Sequence, residues 1–301
     1  MKVALAHSAI AAYFTSACHD ELNALKPGNV HIHAPGHDMD VSHFKAAAAA
    51  AAPQISKPNT KVGTRILHAV TASFEAAKCN TNLGIILLCA PLAAAAEMIS
   101  TETDLNLRLE GVLSALDIDD ATQAYEAIAH ANPAGLGKAP SEDVHAPPSQ
   151  SLKEAMALAA NRDRIANAYV TNFSDIFDTG LPTLNAASGA ANKANVDPHF
   201  AVTTLHMHYL SKYRDSHIAR KHGEATAQLV KTEAESLRAS WSPIATLSSF
   251  DALMEFDTSL KQRKLNPGTT ADFVVATLFA AHLQQDLAKT ANENPTIRQR
   301  I

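Results

Sequence analysis

Four short polar segments stand out from an alanine-rich chain, each carrying residue types that hold anions or move protons. Residues 26–40, "KPGNVHIHAPGHDMD", bring Lys26, Asn29, His31, His37 and Asp38 together. "NTNLG" follows with Asn80, Thr81 and Asn82, and "DSHIARKHG" gathers Asp215, Arg220 and Lys221. "NPGTTAD" supplies Asn266, Gly268, Thr269, Thr270 and Asp272 ahead of an apolar run. This last pattern is a helix N-terminus: proline and glycine shape the turn, threonines cap, and unpaired backbone N–H groups point outward. Such an end attracts anions, with each charge gaining roughly 0.3–1 kcal/mol. "NTNLG" repeats the theme. On a helix, Ser216 shares a face with Arg220 and His217 with Lys221, so "DSHIARKHG" makes a compact cationic spot beside an acid. Singly these are ordinary caps and a solvated face. Their recurrence in one chain argues for a shared polyanion site.

The histidines raise a second chemistry. In an extended segment His31 and His33 point the same way, and with His37 and Asp38 they make a candidate zinc or iron site. No H-x-x-x-H helix or second histidine set completes it, so loop histidines that contact phosphate or satisfy local polar groups are the better expectation.

The chain must position these segments with helices. Its 301 residues are 47% hydrophobic and 18% charged, enough to bury a substantial core. Apolar recurrence at three and four residues runs through almost every segment, including "VGTRILHAVTASFEAAKC", "SLKEAMALAANRDRIANAYVTNFSDIF" and "TTADFVVATLFAAHLQQDLAK". The alanines from Ala46 to Ala52 suit a closely packed helix. The expectation is a single compact all-α domain over residues 1–286, whose polar loops converge on one cleft, followed by a polar tail over 287–301. Loops are expected where proline and glycine cluster, at 26–40, 132–150, 178–198 and 264–269. The loop at 132–150 is long for a plain connection and reads as a lid.

A formal charge of −5 disfavours nucleic acid and anionic membranes as partners. No apolar run approaches the roughly 18 residues of a membrane span. Three cysteines without C-x-x-C spacing fit a reducing cytoplasm rather than a disulfide framework. The opening "MKVALAHSAIAAYFTSAC" imitates a leader, but His7 and Tyr13 interrupt it and the helical pattern continues into "HDELNAL". Oligomeric state is left open.

In their order and spacing, "LKPGNVH", "GHDMD", "NTNLG", "RDRIANAYV", "DSHIARKHG" and "LNPGTTADFVVATLF" resemble the triphosphoribosyl-dephospho-CoA synthase family, over roughly Ala17 to Leu283. The resemblance implies an all-helical transferase that takes ATP with Mg2+, releases adenine, and leaves a triphosphoribosyl group on an acceptor alcohol. Members acting on dephospho-CoA read "PKPGLVD" and "NTHKG". Here Asn29 and His31 replace an apolar residue and an acid, while Asn82 and Leu83 replace a histidine and a lysine. Those differences admit a second acceptor, a precursor of a tetrahydromethanopterin-type cofactor. A helical nucleotide-binding protein without turnover is the alternative from another class.

Displacing adenine from C1′ builds an oxocarbenium-like centre, which calls for carboxylates and an acid. Asp38, Asp215 and His37 are the catalytic candidates implied, with Asp38 and Asp272 holding magnesium. Lys26, Asn29, His31, Asn80, Thr81, Asn82, Arg220, Lys221, Asn266, Gly268, Thr269 and Thr270 are the candidates for phosphate and ribose.

Overall fold

The computed structural model describes residues 2–36, 40–133 and 143–292. Among these the regular structure is helical, and isolated β-bridges pair Val3 with Ser100 and His31 with Ala34. The first half runs through α1 (His7–Asn23), α2 (Val41–Ile55), α3 (Val62–Ala77), α4 (Leu83–Glu97), α5 (Leu105–Ser114) and α6 (Ile118–Ala131). The second half begins with α7 (Leu152–Ala159), α8 (Arg164–Val170), a π-helical turn over Asp175–Gly180 and α9 (Leu181–Ala194). It continues with α10 (His199–Lys212), α11 (Ser216–His222), α12 (Glu224–Ser236), α13 (Arg238–Trp241), α14 (Phe250–Gln262) and the long α15 (Gly268–Asn292).

Helix α4 explains the centre of the molecule. Its sequence "LGIILLCAPLAAAAE" is apolar on every side and it is buried almost throughout, so neighbours must surround it. Helices α3, α5 and α15 pack on it, and α15 also crosses α1 and α10. In α2, Ala47, Ala48, Ala51 and Ala52 are buried at helical spacing and bring that helix against α3. The start of α3 approaches α6 still more closely. A Cβ on Gly63 would lie 2.5 Å from Asp120 Cα, and the Gly63 N–H donates to Asp120 Oδ1 at 2.7 Å. A second, smaller core gathers Met207, Leu210, Ile218, Trp241, Phe256 and Leu260, and so fixes α10 to α14 beside the start of α15.

Three expectations change. Residues 178–198, expected as a loop, are largely helix α9: Pro182 falls in its first turn, where a missing N–H costs nothing, and an alanine-rich run carries it on. The stretch read as one helix from Ser151 to Phe177 is broken, because Asp163 caps a new helix by accepting from Ile165 N and Ala166 N, and Asn172 and Phe173 take positive φ. Helix α15 runs through the expected boundary at 286, with Leu287 fully buried. Residues 134–142 of the expected lid lie outside the described residues, but Asn132–Pro133 and Asp143–Val144 on either side of them reach the cavity described next.

Candidate active site

The helices enclose a cavity of about 930 Å³. One part of its wall is polar. The start of α4 contributes Asn80, Thr81 and Gly84, and the start of α15 contributes Asn266, Gly268, Thr269 and Asp272. Arg220 and Lys221 enter from α11, Arg162 and Asp163 from the break before α8, and Glu21 and Asn29 from α1 and the loop after it. The other part is apolar and includes Phe44, Phe74, Tyr125, Ile128, Leu152 and Met156. Two long helices therefore open their first turns into one cavity beside three cations, the arrangement that receives a polyanion.

Asp272 marks where those helix ends meet. Gly84 is the close neighbour: a Cβ there would stand 2.5 Å from Asp272 Cγ. Burial and the nearby charges of Asp215, Glu21 and Asp163 push the Asp272 carboxyl well above the usual carboxylate range, with Arg220 pulling the other way. Among the described residues none donates a hydrogen bond to it. A carboxylate so placed gains from any cation brought beside it.

Asp215 is placed differently. It is buried, caps α11 by accepting from Ile218 N at 3.0 Å, and accepts from Thr270 N at 2.7 Å and Thr270 Oγ1 at 2.8 Å. Burial raises its carboxyl against those hydrogen bonds. It and Thr270 line a small neighbouring cleft rather than the main cavity, and they fasten the cationic helix to the start of α15.

Lys26, expected at phosphate, has no exposed surface. Its ammonium pairs with Glu21 and donates to Asn29 Oδ1 at 3.1 Å, and burial lowers its pKa while Glu21 opposes that shift. Asn29 Nδ2 in turn donates to Asn266 Oδ1 at 2.8 Å. His31 is also withdrawn from the cavity, with Nε2 3.3 Å from Asp257 Oδ1 and the Lys261 ammonium close by. Its pKa is lowered, chiefly by burial. Asn82 is buried at the N-cap position of α4, and its Nδ2 has no hydrogen-bond partner among the described residues. His37 and Asp38 lie outside the described residues. No group of three or more His, Cys, Asp or Glu side chains is gathered for a metal among the described residues.

The cavity thus unites Asn29, Asn80, Thr81, Arg220, Lys221, Asn266, Gly268, Thr269 and Asp272, while Lys26, His31, Asn82, Thr270 and Asp215 stand behind or beside it. It also adds Glu21, Arg162 and Asp163, which the sequence reading passed over. Glu21 had a signal: it is an acid on the same stripe of α1 as Ile10, Phe14, Ala17 and Cys18. Asp163 had one as well, a helix-capping residue set inside an apparently continuous helical run.

An all-helical protein with a cavity walled in this way fits a transferase that handles a nucleotide. The chain belongs to the ATP:dephospho-CoA triphosphoribosyl transferase family (CitG), whose family model matches residues 7–291. No curated protein matches it in sequence. A crystal structure described as a candidate triphosphoribosyl-dephospho-CoA synthase from Archaeoglobus fulgidus shares the fold at 24% identity and a TM-score of 0.61, covering 79% of this chain and 96% of that one. The chain is accordingly an enzyme of the triphosphoribosyl-dephospho-CoA synthase kind, whose family uses ATP and dephospho-CoA. No helix among the described residues is long and apolar enough to cross a membrane.

Proposed function

We propose that the cavity binds ATP with its triphosphate across the first turns of α4 and α15 and transfers the triphosphoribosyl group to a hydroxyl of dephospho-CoA, releasing adenine. One observation carries the reading: two helix N-termini and the cations Arg162, Arg220 and Lys221 share a cavity whose remaining wall is apolar. Triphosphate suits the first set and purine rings the second. A volume of about 930 Å³ lies near the top of the usual range for small-molecule sites, as a reaction between two nucleotides requires. The family description favours dephospho-CoA over the pterin-cofactor precursor.

Magnesium fits this wall. The Asp272 carboxylate, without a donor among the described residues and crowded by like charge, offers a hard oxygen ligand. Mg2+ is commonly held by one or two carboxylates together with substrate phosphates and water, so a full protein cage is not required. When bound, the ion neutralises charge on the retained triphosphate. Asp272 would hold it, and Arg220 and Lys221 would supply the remaining positive charge. Asp272→Asn should weaken ATP binding more with magnesium than without it, as calorimetric titration under both conditions measures. An equal loss would leave Asp272 a structural acid.

The test of function is direct. The protein is incubated with ATP, magnesium and dephospho-CoA, and adenine and product mass are followed together. Adenine with a matching adduct supports the reading. Turnover on a pterin-cofactor precursor alone would change the acceptor, and no adenine with either would return the protein to nucleotide binding without chemistry.

A further inference from the structure

We propose that Glu21 is the general base that takes the proton from the acceptor hydroxyl, and that Lys26 is the residue that positions it. The inference rests on the reading that triphosphoribosyl transfer takes place in this cavity. Joining an alcohol to C1′ requires a carboxylate with an oxygen to spare. Among the described acids on the cavity wall, most are committed elsewhere. Asp163 places Oδ1 on Ile165 N and Ala166 N, at 2.9 and 3.2 Å, and Oδ2 3.3 Å from Arg220. Glu224 and Asp143 lack burial instead: the Glu224 side chain is 58% exposed and pairs with Arg214 at 2.8 Å, and Asp143 is only half-buried and accepts from His145 N at 2.9 Å, so water competes for both. Asp272 sits at the helix ends assigned to the triphosphate. Asp215 is outside the cavity and closed by hydrogen bonds from Ile218 and Thr270.

Glu21 differs from all of these. It is 4% exposed, lines the cavity, and gives Oε1 to Lys26, which leaves Oε2 for a ligand. Burial raises its carboxyl against the pull of the Lys26 charge, the direction that makes a stronger base. Its position is fixed from behind. The chain of contacts from Glu21 to Lys26, Asn29 and Asn266 ends at the turn that begins α15, so the base and the triphosphate wall share one rigid connection. This assigns the lysine and asparagine of "KPGN" to orientation rather than to phosphate.

In the step itself the acceptor oxygen forms the new bond to C1′ while the C1′–N9 bond breaks, its electron pair leaving with adenine. The hydroxyl proton passes to Glu21, and adenine takes a proton from solvent. Glu21 then returns its proton to solvent, so no further reactant is needed.

Glu21→Gln keeps the shape and still offers Lys26 an oxygen. Its kcat should fall by about 10²- to 10⁴-fold, the usual contribution of a positioned base, with the calorimetric Kd for ATP within about threefold of the native value. Formate added to Glu21→Ala should restore part of the turnover in proportion to its concentration. Lys26→Met should lower kcat in the native background and cost nothing more in the Glu21→Gln background, because a residue that acts through Glu21 has nothing left to position. The double variant also removes both buried charges together, so it stays folded if a single change leaves an unpaired charge that does not. Native-like turnover by Glu21→Gln, a loss of ATP affinity matching the loss of rate, or independent losses from the two residues would overturn the inference. Absence of adenine from the native protein with dephospho-CoA would instead overturn the parent reading.

Discussion

Gly84→Ala offers a test in which stability and activity should part company. The added Cβ would lie 2.5 Å from Asp272 Cγ and 2.8 Å from Ile165 Cδ1. Carbon atoms in contact settle near 3.5 Å or beyond, so the Asp272 side chain must retreat by about 1 Å. It can do so, because the obstacle is the end of a side chain rather than backbone. The helix itself gains from the change, since alanine is better than glycine within a helix by roughly 0.5–1 kcal/mol. Crowding of Ile165 offsets part of this, and urea unfolding should place the variant within about 1 kcal/mol of the native protein. Catalysis has no such latitude. A misplacement of about 1 Å in a substrate caused by a group that positions it costs on the order of 10²-fold in rate, so adenine release under saturating substrates should fall by about that factor if Asp272 positions the triphosphate. Turnover within threefold of native, at unchanged stability, would refute the assignment of Asp272 to positioning the triphosphate. A loss of several kcal/mol would show instead that the backbone of α4 had yielded.

Three further outcomes follow from other parts of the molecule. Arg220→Ala or Lys221→Ala should weaken ATP by roughly 10- to 100-fold, as loss of a charge-assisted hydrogen bond of about 1.5–3 kcal/mol implies, and leave adenosine nearly unchanged; parallel losses in calorimetry would point to a structural role. Gly63→Ala should destabilise by at least ~1–3 kcal/mol in urea unfolding, because its Cβ meets the backbone of Asp120, which cannot rotate away as a side chain can; a neutral effect would refute the tight crossing of α3 and α6. Buried His206 has its pKa lowered to about 3, first by desolvation and then by the Lys26 charge, against a hydrogen bond to the Pro27 carbonyl. Its unfolded value is near 6.5, so the unfolded chain binds a proton that the folded one refuses. Stability from this group is complete above pH 6.5 and is lost progressively as pH falls toward 3, by about 2 kcal/mol between pH 7 and 5. His206→Gln should show that much less acid sensitivity, and equal sensitivity would remove His206 from the account.

The helical class was legible because one periodicity fills the chain, and the helix ends at the cavity were legible because proline, glycine and threonine mark a turn into a helix whatever surrounds it. Asn266, Gly268 and Thr269 reach the cavity for that local reason. What sequence could not provide was direction. Lys26, Asp215 and His31 have the residue types of a ligand site, yet tertiary packing turns each toward a protein partner: Glu21, Thr270 and Asp257. A buried charge must find an opposite charge or a ring of donors, and those partners come from residues 5 positions distant in the chain for Lys26 with Glu21 and 55 for Asp215 with Thr270. Glu21 carries the complementary lesson. An acid on an apolar helix stripe is a conflict between local pattern and expected burial, and such conflicts gather where function outweighs stability. In "HDELNALKPGN" the conflict and its resolution stand five residues apart, with Lys26 beneath the acid and Asn29 leading on to the start of α15. The polar loop and the helix before it therefore form one device, in which the lysine and asparagine hold a carboxylate toward the cavity and the wall proposed for phosphate is supplied from elsewhere in the chain.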